Sequence, residues 1–143
     1  MNGLYVIDAC IACDIVRQAP TAPAYESLLE TASNVVAPSL YCAECANVIG
    51  RYVRSGNCTK KLAMEQYQAA LELIYGYVSC ESLAQQAMSL SLMYGHKAYD
   101  MFYLALAQKT GAALLTSDTR LITIAKNIGG CNCDLLAVFC KIQ

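Results

Sequence analysis

Residues Leu4-Tyr5-Val6-Ile7 form an uninterrupted apolar run that stops at Asp8. A strand without polar alternation has both faces covered, and such strands occur mainly in parallel sheets flanked by helices. Similar short runs return at Val35-Val36-Ala37, closed by Pro38, and from Ala112 to Thr116, with Asp118 just beyond. Weaker strand signals lie at 77–80 and 135–139. Between them the apolar residues take helical spacing over 10–17, 24–32, 59–75, 82–94, 99–109 and 119–127, with a break at 19–23. Ser39 is placed to cap a further helix running to Arg54, and Gly95 and Gly111 fit helix stops. Strands alternating with helices predict an α/β fold with a central, mainly parallel sheet of four to five strands. At 143 residues, with no repeat or linker, the expectation is a single domain over 1–143.

Composition narrows the function classes. Hydrophobic residues make up 57% and charged residues 15%. That excludes a disordered chain and leaves apolar surface for a partner to cover. No apolar stretch reaches the roughly 18 residues of a membrane span, since Asp8 and Asp14 interrupt the N-terminal segment. The first basic residue, Arg17, follows two acids, unlike a secretion signal, so a cytoplasmic protein is expected. The net charge of −1 gives no global footprint for nucleic acid. Arg51, Arg54, Lys60 and Lys61 nonetheless form a local basic patch, which reads as a substrate or partner contact or as a solvated helix end. The nine cysteines, an odd number, read as reduced thiols. Cys10-x-x-Cys13 and Cys42-x-x-Cys45 have zinc half-site spacing, but both pairs fall on predicted helices and the second on an apolar stripe with Ile49 and Val53. His96 is the single histidine, which argues against a histidine-based metal site and for a residue that helps close a helix after Gly95.

Acids are few, so their positions carry information. Asp8 ends the first strand and Asp118 follows the Ala112–Thr116 strand; in an open parallel sheet those ends face the ligand crevice. Glu44, Asn47 and Arg51 form one polar stripe on the helix after the second strand, and Asp100 opens an otherwise apolar helix with Tyr103 one turn on. Each acid alone has a structural reading, as a helix cap, a dipole partner or a surface ion pair. Together they sit on elements that a parallel sheet brings to one edge. Clustered carboxylates need a neutralising cation, and an all-oxygen set selects a hard ion such as Mg²⁺ or Mn²⁺. Asp8 and Asp118 are the first candidates as ligands, with Glu44 and Asp100 as further ones. Thr116 and Ser117, with Asn47, are candidates to support the acids by hydrogen bonds, although the hydroxyls also suit a strand-to-helix turn.

Val6-Ile7-Asp8-Ala9, Glu44-x-x-Asn47, Ala98-Tyr99-Asp100-x-x-Tyr103-Leu104-Ala105 and Leu115-Thr116-x-Asp118-x-Arg120-Leu121 resemble the four signatures of PIN-domain ribonucleases, most of all the VapC-type toxins of toxin–antitoxin pairs. The resemblance runs from about residue 4 to residue 138. It implies a three-layer α/β/α sandwich and a Mg²⁺- or Mn²⁺-dependent endoribonuclease centred on Asp8, Glu44, Asp100 and Asp118. It further implies a homodimer and a cognate antitoxin. One departure is Cys10, where a small polar residue is often found. The alternatives are an RNA-processing nuclease without a toxin role and a non-catalytic PIN-like module that binds a partner. Dinucleotide and P-loop readings fail because no Gly-x-Gly-x-x-Gly or Gly-x-x-x-x-Gly-Lys follows Asp8.

Overall fold

A computed structural model describes residues 3–128. The chain runs through β1 (Leu4–Ile7), α1 (Ala9–Val16), α2 (Ala22–Glu30), β2 (Asn34–Pro38), α3 (Tyr41–Arg54), α4 (Lys60–Glu72), β3 (Gly76–Val78), α5 (Cys80–Tyr94), α6 (Ala98–Thr110), β4 (Ala113–Leu115) and α7 (Thr119–Ile128). Four strands form one sheet in the order β3-β2-β1-β4, and every pair is parallel. The strand expected at 135–139 lies outside the described residues.

The apolar run of β1 is central for a physical reason. Successive strand residues point to opposite faces, yet Val6 and Ile7 are both 0% exposed, so helices cover both sides of the sheet. The helices pack in two groups, α1 to α4 against one another and α5 against α6, with α6 resting on β1, β2 and β4. Among the described residues no helix is long and apolar enough to cross a membrane.

Local signals place most element ends. Thr59 caps α4 by accepting from the Leu62 N–H, while Gly95 (φ 61°) and Gly111 (φ 70°) end α5 and α6 in the left-handed region. Three expectations need correction. The second helix begins at Ala22, not 24, because a proline in the first turn loses no helical hydrogen bond and Pro23 sits there. Ser39 does not cap α3, whose N-cap is Leu40 without a side-chain bond; the Ser39 hydroxyl instead accepts from the Cys80 N–H. The weak strand at 77–80 is shorter, at Gly76–Val78, because Ser79 turns to cap α5 through the Glu81 N–H.

The strand order decides where a ligand fits. The chain moves outward from β1 to β2 and β3, then returns to place β4 on the other side of β1. The connections after β1 and β4 therefore diverge, leaving a crevice beyond the carboxyl ends of these two neighbours. Asp8 follows β1 directly, and Asp118 lies three residues after β4.

Candidate active site

That crevice is a cleft of about 430 Å³, lined by Asp8, Glu44, Asp100 and Asp118. Acids separated by up to 110 positions meet because each stands at the C-terminal edge of the sheet or on a helix leading away from it. Asn47, Arg51 and Ser117 also line the cleft, as do Lys97, Tyr103 and Cys10. Arg54, Lys60 and Lys61 do not. They are exposed around the end of α3 and the start of α4. Arg54 lies ten residues along the helix from Glu44, roughly 15 Å away at 1.5 Å per residue.

Each carboxylate is held by the fold. Asp8 caps α1, its Oδ1 accepting from the Ile11 N–H at 3.0 Å, and its Oδ2 accepts from the Thr116 hydroxyl at 2.5 Å. Thr116 is fully buried and its oxygen also accepts from the Asp118 N–H at 3.1 Å, so one hydroxyl ties the ends of β1 and β4 together. Asp118 caps α7 through Oδ1, which accepts from the Arg120 and Leu121 N–H groups at 3.0 and 3.1 Å. Glu44 accepts from the Tyr103 hydroxyl at 2.6 Å. Asp8 and Asp118 thus cap helices and line the cleft with the same carboxylates.

The single histidine does more than the helix-closing role read from the sequence. His96 is only 7% exposed, and its Nε2 lies 2.7 Å from Asp100 Oδ2 and 3.7 Å from Asp118 Oδ2. Ligand atoms of His96, Asp100 and Asp118 fall within 4.8 Å of one another. A residue read from sequence as a helix-closing group is therefore part of the acid cluster. It closes the helix too, with its N–H donating to the Ser91 carbonyl. Lys97 Nζ approaches the same Asp100 oxygen, at 3.6 Å. Tyr103 was legible only as a residue one turn after Asp100; nothing local links it to Glu44.

Electrostatics match the crowding. Asp8 keeps some exposed surface, yet burial of its carboxyl group pushes its pKa up from 3.8 to about 6; Thr116 and Ile11 oppose the rise, and Asp100 and Glu44 add to it. Burial also raises Glu44, against the Tyr103 hydrogen bond. Such a centre disfavours its own ionised form, and a cation placed among the carboxylates relieves that cost. The donor set fits a hard divalent ion: oxygen ligands converging on one cleft, with one imidazole nitrogen already engaged by a carboxylate.

A PIN domain family model matches residues 5–127. The chain belongs to the PIN-domain family. PIN domains are generally nucleases, PIN nucleases act on RNA, and the family typically binds divalent metals. A comparison with curated proteins found no match. The PIN fold itself is similar to the crystal structure of PAE2754 from Pyrobaculum aerophilum, with a TM-score of 0.71 and 17% identity over 96% of this chain and 95% of that one. At that identity the likeness speaks for the fold.

Proposed function

We propose that this PIN domain is a Mg²⁺- or Mn²⁺-dependent endoribonuclease and the toxin of a type II toxin–antitoxin pair. The observation that carries the nuclease reading is the meeting of Asp8, Glu44, Asp100 and Asp118 in one cleft at the sheet's switch point. Asp8, Asp118, Asp100 and Glu44 would hold one or two divalent ions. A bound ion supplies charge relief at the phosphoryl oxygens, an activated water and stabilisation of the leaving oxygen. The chain's own residues provide the geometry for that chemistry. Thr116 and the Ile11 amide fix Asp8, the Arg120 and Leu121 amides fix Asp118, and Tyr103 fixes Glu44, so the carboxylates need little reorganisation when charge develops. Arg51 and Lys97, at the cleft wall, suit the phosphates on either side of the scissile bond. Arg54, Lys60 and Lys61 suit a more distant stretch of RNA or an acidic antitoxin segment.

The test is cleavage of a panel of single-stranded and structured RNAs by purified protein, with Mn²⁺, Mg²⁺ or EDTA. Cleavage should require the ion, and Asp100→Ala should slow it by at least about a hundredfold while circular dichroism stays unchanged. RNA left intact across the panel with both ions defeats the reading.

The toxin role rests on the VapC-like signatures, and it predicts growth arrest when the chain is expressed alone, relieved by Asp100→Ala. The homodimer is supported by apolar side chains on α5, where Met88 and Leu92 are 53% and 73% exposed one helical turn apart. Sedimentation at micromolar concentration should give a dimer or larger assembly; a clean monomer contradicts it.

A further inference from the structure

We propose that His96 is a positioning residue that fixes the Asp100 carboxylate through a proton on Nε2, and is not itself a metal ligand. This rests on the acid-centre reading above.

The ring's two nitrogens have unequal surroundings. Nε2 is 2.7 Å from Asp100 Oδ2, a distance for a charge-assisted hydrogen bond. Nδ1 is buried with no hydrogen-bond partner among the described residues. A proton on Nδ1 would be a buried donor with no acceptor among the described residues, and it would leave a bare Nε2 lone pair facing the Asp100 carboxylate at 2.7 Å. The proton therefore belongs on Nε2. Binding of an ion at Nε2 would move it to Nδ1, the position without an acceptor. Histidine ligands almost always donate their second N–H to a carbonyl or carboxylate, and among the described residues no such group meets His96 Nδ1.

The backbone behind the ring is held from three sides. Gly95, left-handed at φ 61°, turns the chain out of α5. The His96 N–H donates to the Ser91 carbonyl, and the Ser91 hydroxyl donates back to the His96 carbonyl at 2.5 Å. Arg120 reaches across from α7 to donate to the Gly95 carbonyl at 2.8 Å. Since Asp118 caps α7, the Asp118 helix clamps the segment that carries His96, and His96 in turn holds Asp100. His96 and Lys97 both engage Oδ2 of Asp100, which leaves Oδ1 for the cleft.

Three variants separate this from a merely structural role. In His96→Gln the side-chain amide reaches about as far as Nε2; in His96→Asn it stops near the Nδ1 position, short of Asp100. Arg120→Ala, at an exposed side chain, loosens the clamp without touching the ring. Titration with Mn²⁺ alone, following the free-ion electron paramagnetic resonance signal, should show His96→Asn weakened about ten- to a hundredfold, the usual effect of losing a ligand's hydrogen-bond partner. His96→Gln should stay near wild type, and Arg120→Ala should fall between. Equal affinity in all four proteins overturns the proposal, as does an equal loss in Gln and Asn. Direct ¹⁴N coupling of His96 to bound Mn²⁺ also overturns it, by making the ring a ligand. Nitrogen-15 spectra of the ion-free protein give an independent reading: the proton should sit on Nε2, exchanging faster with water in Asp100→Ala. A proton on Nδ1 overturns the proposal. Should the wild type bind no divalent ion, the acid-centre reading fails, and these spectra alone decide whether His96 holds Asp100.

Discussion

Asp8→Asn should reduce metal-dependent RNA cleavage by at least about a thousandfold, a loss of several kcal/mol of ion-borne charge stabilisation, while the protein stays folded. The change removes one negative charge from a cleft whose proposed occupant is a divalent cation, and leaves the side chain's shape almost unchanged. The amide oxygen can still accept from the Ile11 N–H, so α1 keeps its cap. The cost falls on the Thr116 hydroxyl, which now donates to Oδ2 and would have to turn away from an amide NH₂. Its oxygen already accepts from the Asp118 N–H, so the rearrangement is local and worth about 1 kcal/mol. Single-turnover cleavage at saturating Mn²⁺, alongside a thermal melt, measures both sides. Cleavage within tenfold of wild type removes Asp8 from the reacting centre. A melt that collapses together with the activity would make Asp8 a structural cap first.

How much of this was legible in the sequence depends on how local each cause is. The unalternating Leu4–Ile7 run and the glycine stops at Gly95 and Gly111 act within a few residues, and the structure puts them where that logic does. Ser39 has the chemistry of a cap, but its partner is the amide of Cys80, forty-one positions on, and only the packing of β2 beside β3 supplies it. The acids were visible because each sits next to a strand end or at a helix start, places defined by short patterns. His96 was hidden by a sufficient local explanation. A histidine after a helix-stopping glycine needs no further reason, and its approach to Asp118 exists only once the start of α7 meets the Gly95–His96 turn between α5 and α6. The basic residues show a different limit, because a patch read along the chain does not say which members reach the cleft. Arg51 and Arg54 are neighbours in sequence, yet three residues of helix turn and rise separate a cleft-lining side chain from one outside it.

The ion-free protein should lose stability as pH rises from about 4 to about 7, and divalent metal should restore it only in the upper part of that range. Asp8 supplies the sign. Its folded pKa of about 6 lies above its reference value of 3.8, so between them the folded state holds more protons than the unfolded one. Stability then falls with increasing pH: the contribution is fully present below 3.8 and lost as pH passes 6. The size is roughly 2–3 kcal/mol, and Glu44, raised by burial too, acts in the same direction. A cation that binds the ionised cluster reverses the penalty. Mn²⁺ at a hundred times its dissociation constant adds about 2.7 kcal/mol, or roughly 5–10 °C in Tm for a domain of this size. Near pH 4 a proton occupies Asp8 and competes with the ion there, so the Mn²⁺ shift should shrink. Other groups titrate over this range, so the decisive quantity is the difference from Asp8→Asn, in which the charge cannot form. Melts from pH 4 to 8, with EDTA and with Mn²⁺, should show the variant more stable than wild type at pH 7 without ion and less responsive to Mn²⁺. An ion-free wild type that gains stability relative to Asp8→Asn between pH 5 and 7 would mean that the Asp8 charge is stabilised by the fold. The cleft would then have no electrostatic need for a metal.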